Sequence, residues 1–502
     1  MKHFNTLLVF VLVLLVSGIQ AQNRFLEEVF DDITVTENVV YGENISIITI
    51  PITGSPLKQP LVMDIYEPVD DELDERPVIL MFHTGNFIPH PDNQGTGGTI
   101  RDSTLVNIAR RLTRMGYVVA SVDYRKGWNP IADQQSERVN TLINAAYRGV
   151  QDARTAIRYV KRSAEEFGNP YRFDPERITL WGIGTGGYIS LNTTVLDDYN
   201  KVLIDKFFDE GPDGNPIPMV IQPIHGDIYG TSVGLNPLTG DTLSLPNHVG
   251  YDSDFHLSVN MGGAMGDTSW LDPGMIPMIS YQVPTDPFAP YVEAVLIVPG
   301  VNLPVVEVQG ARLVQQLANQ YGNNNVFIEA NIMDAFTDAA NANNDGLEGL
   351  FPFLRNDNPL DSAPWSWWSP DNPNHQAGLQ TNPDMSFEKA NTYADSILGY
   401  FAPRAYVALD LEGAVSTNEP FLPEAEIKIM PNPATSSALI STTSQSPIRE
   451  VTVVDINGRI IDAYRNVDNQ YFTVHRHNKT AGVYFLHCRM DHGVVTKRLI
   501  FH

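Results

Sequence analysis

Ile178-Thr179-Leu180-Trp181-Gly182-Ile183-Gly184-Thr185-Gly186-Gly187-Tyr188 decides how the rest of this 502-residue chain is read. A short apolar run meets four glycines, and a helical pattern follows, beginning near Tyr188. Small residues at this spacing let a strand reverse sharply into a helix whose free N–H groups face the turn. A phosphate-binding loop is one use of such a junction. It would need a Lys-Ser/Thr pair after the glycines, or an acidic residue beyond a second strand, and neither is present. The other use is the nucleophile elbow, Gly-x-Ser-x-Gly. In the register set by Trp181-Gly182 and Gly186-Gly187, the apex position is Gly184, which has no side chain.

Upstream, Pro77-Val78-Ile79-Leu80-Met81-Phe82 and Tyr117-Val118-Val119-Ala120-Ser121-Val122 are further short, nearly continuous apolar runs. Strands buried on both faces have this pattern. Helical periodicity lies between them, over Val106 to Met115 and over Ala145 to Phe167, where Val150, Ala153, Ile157 and Val160 share a face. Alternating strands and helices predict a mostly parallel sheet flanked by helices. Ile45 to Ile50 and Leu61 to Tyr66 are expected to form an antiparallel pair leading into it.

With these elements in place the chain resembles, from about residue 60 to 400, an α/β-hydrolase of the carboxylesterase and hormone-sensitive-lipase-like group. Phe82-His83-Thr84-Gly85-Asn86-Phe87 is similar to the His-Gly-Gly-Gly-Phe oxyanion loop of that group. Tyr117 to Arg125 resembles the strand that follows the loop. Asp152 and Ala156 lie in the helix before the elbow, and Asp174 to Gly182 matches its lead-in. Ser280 to Tyr291 resembles the segment carrying the triad acid, at Asp286. The resemblance implies oxyanion donors at Gly85, Asn86 and Thr185. It places the base after Asp286, where His375 is the candidate before the linker.

The nucleophile is the departure. Acyl transfer in this group needs a hydroxyl at position 184, activated by His and oriented by Asp. Glycine relieves the strained backbone of an elbow while removing the group that attacks. Near His375, Trp365-Ser366-Trp367-Trp368 holds three of the six tryptophans, either an aromatic core cluster or a wall for an acyl group or a sugar face. Asn341-x-Asn343-x-Asp345-Gly346 is similar to the start of a calcium loop, but Pro352 stands where its Glu belongs, so a polar turn is expected. His225, His248 and His256 lack ligand spacing, so no metal or cofactor is expected.

The two ends read as addresses. Lys2 and His3, the apolar run Leu7 to Val16 and the small residue Ala21 predict a signal peptide over 1–21, with Gln22 as the mature start. A single cysteine, Cys488, rules out an intramolecular disulfide, and a net charge of −26 argues against nucleic acid as a partner. Residues 424–502 differ from the rest, with nine Lys/Arg against seven Asp/Glu. They follow a linker at 411–423 and a hydrolase domain at 22–410. Alternating runs at Glu450 to Asp455, Arg459 to Ile461, Gln470 to Val474 and Gly482 to Leu486, with an Asn457-Gly458 turn, predict antiparallel hairpins in a small β-sandwich. Met430-Pro431-Asn432-Pro433, Val453 to Arg459, Ala481 to Phe485 and Thr496 to Ile500 resemble the type A sorting domain of the type IX secretion system of Bacteroidetes. That resemblance implies export across the outer membrane, with the secretion machinery as partner through 424–502. No second apolar run of about 18 residues follows Leu7 to Val16, so no transmembrane helix is expected.

Two functions are compatible with these readings. One is a secreted pseudo-hydrolase that binds a small ester-like or apolar ligand. The other is an ester hydrolase with a non-standard nucleophile or an activated water. The first is preferred, because no nearby hydroxyl replaces Gly184.

Overall fold

A computed structural model describes residues 24–298, 301–412, 427–442, 446–455, 460–477, 479–490 and 493–502. The chain divides into two compact units near residue 415. The expected signal peptide, linker positions 413–423 and the Asn457-Gly458 turn lie outside the described residues.

The main sheet of the first unit has eight strands: β1 (Ile33–Ser46), β2 (Leu57–Pro68), β3 (Arg76–Phe82), β4 (Val118–Val122), β5 (Phe173–Ile183), β6 (Leu257–Met261), β7 (Met278–Gln282) and β8 (Leu350–Pro352). Their spatial order is β1-β2-β4-β3-β5-β6-β7-β8. β1 and β2 run antiparallel at one edge, and the six strands from β4 to β8 are parallel. All seven residues of β3 are buried. Successive side chains of a strand point to opposite faces, so Val78, Leu80 and Phe82 enter one core while Ile79 and Met81 enter the other.

Helices α2 (Gln135–Glu166) and α3 (Thr185–Val195) close the first core with Val150, Ala153, Ile157, Ile189 and Leu191. Helices α1 (Ser103–Arg114) and α4 (Phe387–Ala408) close the second with Leu105, Ile108, Leu112, Ile397 and Phe401. The result is a three-layer α/β-hydrolase fold. In it the C-terminal ends of β3, β5 and β7 bring the segments after Phe82, Ile183 and Gln282 to one edge of the sheet.

Three boundaries differ from expectation. The predicted strand Ile45 to Ile50 is only the end of β1, which starts twelve residues earlier at Ile33. A short helix, Ile50–Thr53, follows, and Pro51 in its first turn has no N–H to give to a ladder. Helix α2 starts ten residues before Ala145, because buried Val139 and Leu142 extend the same apolar face. Helix α3 starts at Thr185 rather than near Tyr188, with Gly184 itself as the cap.

The second unit contains a three-stranded antiparallel sheet, in the order Ile427–Met430, Ser437–Thr442, Tyr471–His475. A four-stranded one has the order Ile460–Asn469, Ile448–Asp455, Gly482–Met490, Gly493–Phe501. Tyr484, Leu486, Cys488 and Met490 alternate into its core with Ile440, Val451 and Val474. Among the described residues no helix is long and apolar enough to cross a membrane.

Candidate active site

Gly184 joins β5 to α3 with φ 55° and ψ −114°. Its N–H donates to the Met261 carbonyl at 2.7 Å, and its carbonyl accepts from Gly187 N–H at 2.9 Å. This is left-handed, tightly tied backbone, sparsely populated by residues with a side chain. The neighbouring glycines answer to space: a Cβ on Gly186 would overlap the Phe82 carbonyl at the end of β3. The junction is therefore built as an elbow in its backbone, while its apex carries only hydrogen.

The loop after β3 faces it. His83 is fully buried and stacks on Tyr124 with ring centroids 4.5 Å apart, and its Nε2 lies 3.0 Å from Asp123 Oδ1. Lys126 also pairs with Asp123, at 2.7 Å. Burial alone would push the Asp123 carboxyl up, but the His83 hydrogen bond and the Lys126 ammonium hold it well below the usual carboxylate range. The Tyr124 hydroxyl donates to the His83 carbonyl at 2.9 Å, and Trp128 Nε1 donates to the Asn86 carbonyl at 2.6 Å. These contacts hold Gly85 and Asn86 at the edge of the elbow. The Asn86 N–H, however, donates to Thr185 Oγ1 at 2.6 Å. One of the two loop amides available for an oxyanion thus has an internal acceptor.

Asp286 follows β7 and is buried. Its Oδ1 accepts from Phe288 N–H at 2.8 Å, and its Oδ2 accepts from Gln282 Nε2 at 3.2 Å. Burial outweighs these bonds and raises the carboxyl from 3.8 to about 7. A raised acid takes up its proton in the folded state first, so its contribution to stability is complete below pH 3.8 and is lost as pH rises through 7. Wild type should therefore gain roughly 2–3 kcal/mol on acidification from pH 8 to pH 5 relative to Asp286→Asn. Urea denaturation of both proteins at the two pH values checks this; parallel pH profiles would refute it.

His375 opens a short helix, His375–Gly378, and its Nδ1 accepts a hydrogen bond from Trp368 Nε1 at 3.0 Å. An accepting Nδ1 carries no proton, whereas a triad base donates from that atom to its acid. Among the described residues no hydrogen bond joins His375 to Asp286. Trp365 is buried against Phe353, with its ring 3.5 Å from the Cβ position of Gly262, which is itself 3.6 Å from Asp286 Oδ2. Trp368 is buried beside His375, and half-buried Trp367 packs on Phe387. Trp367 and Trp368 line a cleft of about 440 Å³ together with Thr84, Thr96 and Ile183.

Ser190, the next hydroxyl along α3, bonds to Ser258 Oγ and the Val259 carbonyl inside the fold. The bond from Asn86 N–H to Thr185 Oγ1 joins residues 99 positions apart and has no signature in the sequence. Among the described residues no group of three or more His, Cys, Asp or Glu side chains is placed to hold a metal.

Residues 63–214 match the family model BD-FAE, and residues 428–502 match that of the secretion system C-terminal sorting domain. No curated protein matches the chain. Among solved structures, it is similar to Thermogutta terrifontis esterase 2 phosphorylated by paraoxon, at 16% identity, 72% coverage of this chain and 94% of that one, and a TM-score of 0.33. It is also similar to a truncated carbohydrate esterase from gut microbiota, at 16% identity, 59% and 86% coverage, and a TM-score of 0.31. Brefeldin A esterase, a bacterial homologue of human hormone-sensitive lipase, matches at 16% identity, 36% and 42% coverage, and a TM-score of 0.22.

Proposed function

We propose that this chain, an esterase-like α/β-hydrolase domain joined to a type IX secretion sorting domain, is an exported pseudo-hydrolase that binds a small ester-like or apolar ligand without cleaving it. The observation that carries the reading is Gly184, which holds the elbow backbone with no side chain to attack a carbonyl. Two further contacts support it. The Thr185 hydroxyl occupies the Asn86 amide, and the Trp368 indole occupies the nitrogen through which His375 would meet an acid. The amide that a hydrolase keeps free for substrate and the nitrogen that it turns to its acid each have another partner here.

In this reading Trp367 and Trp368 form the wall against which the ligand packs, and Gly85 N–H is left to meet its carbonyl oxygen. 4-Nitrophenyl butyrate should quench the intrinsic tryptophan fluorescence saturably, and the same complex should release no nitrophenol. Trp367→Ala should weaken that quenching about 5–30-fold, as loss of an aromatic contact worth about 1–2 kcal/mol requires. Steady nitrophenol release by the wild-type protein would refute the proposal.

The sorting domain directs the chain to the cell surface or the medium. We expect the exported species to begin at Gln22 and to lack most of 424–502. Intact-mass analysis tests this, and a full-length species as the sole exported product would contradict it.

A further inference from the structure

The space left by the missing nucleophile is filled. A Cβ placed on Gly184 would overlap Thr84 Oγ1 and lie 3.0 Å from Thr84 Cβ. Thr84 stands 100 positions earlier, in the oxyanion loop, at the end of β3. Its hydroxyl makes no hydrogen bond to protein among the described residues, and Thr84 lines the cleft to which Ile183 and Trp367 also contribute. Rotating χ1 of Thr84 removes Oγ1 from the overlap but leaves Cβ where it is, and a β-branched side chain has few alternative rotamers. A serine at 184 therefore fits beside a threonine at 84 only if Thr84 both turns and yields by a few tenths of an ångström.

We propose that Thr84 and Gly184 form a reciprocal pair. Thr84 occupies the nucleophile's place, closes the acyl site, and presents its own hydroxyl to the cleft as a donor to the ligand's carbonyl oxygen. The ligand half of the inference rests on the binding function proposed above, while the steric half stands without it. A threonine so placed can anchor an ester-like ligand but forms no bond to it, because no base reaches its hydroxyl among the hydrogen bonds of the site.

The test separates the two halves. Gly184→Ser alone should lower the melting temperature by about 1–4 °C, as an overpacked core position in a unit of this size does. On a Thr84→Gly background the same substitution should cost less, leaving only the backbone strain that position 184 imposes on both backgrounds. Equal losses on both backgrounds, or an unchanged melting temperature for Gly184→Ser alone, would overturn the pair. For the ligand, quenching by 4-nitrophenyl butyrate should weaken about 2–10-fold in Thr84→Val, which keeps the shape, and should be retained in Thr84→Ser, which keeps the hydroxyl. Equal affinity of Thr84→Val and wild type would overturn the anchoring role. Nitrophenol release by the wild type, by contrast, would remove the pseudo-hydrolase reading and leave the steric pair intact.

Discussion

A fluorophosphonate, which reacts with activated serines, should leave the wild-type protein unlabelled, and short-chain aryl esters should be turned over about 10⁶-fold more slowly than by a serine-bearing relative. That is the usual cost of removing a nucleophile from a triad, and the roughly 10³–10⁴ advantage over water that survives such a loss comes from the oxyanion hole and binding. Here even that remainder is reduced at its source, because the Asn86 N–H is engaged by Thr185 Oγ1. Thr84, the hydroxyl nearest the empty apex, has no base bonded to it among the described residues, and the two hydroxyls of α3 nearest the elbow's chain are committed elsewhere. Ser190 is bonded into the fold behind the elbow, and Thr185 is the acceptor for the loop amide. Stoichiometric labelling mapped by peptide mass to a Ser or Thr in residues 24–412 would favour the alternative, a hydrolase with a displaced nucleophile.

The second large effect is on stability. Asp152→Ala should destabilise the first unit by about 3–5 kcal/mol, read as a lower midpoint of urea denaturation at unchanged slope. Arg125 and Asp152 both have side chains with no exposure, paired at 2.9 Å. The carboxylate also accepts the Arg125 N–H at 2.7 Å, while the guanidinium reaches Gln151 Oε1 at 2.8 Å. Removing the acid leaves a buried cation with one side-chain acceptor, beside Arg148, whose guanidinium burial already pushes down to about 9. Replacing both partners with apolar residues of similar volume should cost much less, since the penalty lies in the unpaired charge rather than in loss of the pair. The ion pair also reaches toward the site, because Arg125 leads the segment in which Gly127 N–H donates to the Phe87 carbonyl and Trp128 donates to Asn86. A destabilisation below about 1 kcal/mol would mean that solvent reaches the pair.

Much of the architecture follows from short-range patterns. The continuous apolar run Val78 to Phe82 has no polar face, so it can only be a strand covered on both sides, and it is. The strand–glycine–helix junction at 178–188 and the alternating strands of the C-terminal unit are equally local. Boundaries were less legible where periodicity is weak. The first eight residues of β1 mix exposed and half-buried positions, because one side of an edge strand faces water, and so they lack a clean alternation.

What the sequence by itself determined was the order of elements, the two-unit organisation with its sorting domain, and the absence of a side chain at position 184. Each is a property of neighbouring residues or of local composition, except that the sorting role of the second unit came from its resemblance to a family. The tertiary structure alone decided what replaced that side chain and where the polar groups of the site found partners. Thr84 against Gly184, Asn86 against Thr185 and Arg125 against Asp152 are pairs separated by 27 to 100 positions. The first two meet because parallel strands place successive loops at the same edge of a sheet, while Asp152 reaches Arg125 from the middle of α2. Contacts at that edge depend on ångström-scale packing between β3 and β5, and a pattern of 2 or 3.6 residues carries no information about a hydroxyl one hundred residues away.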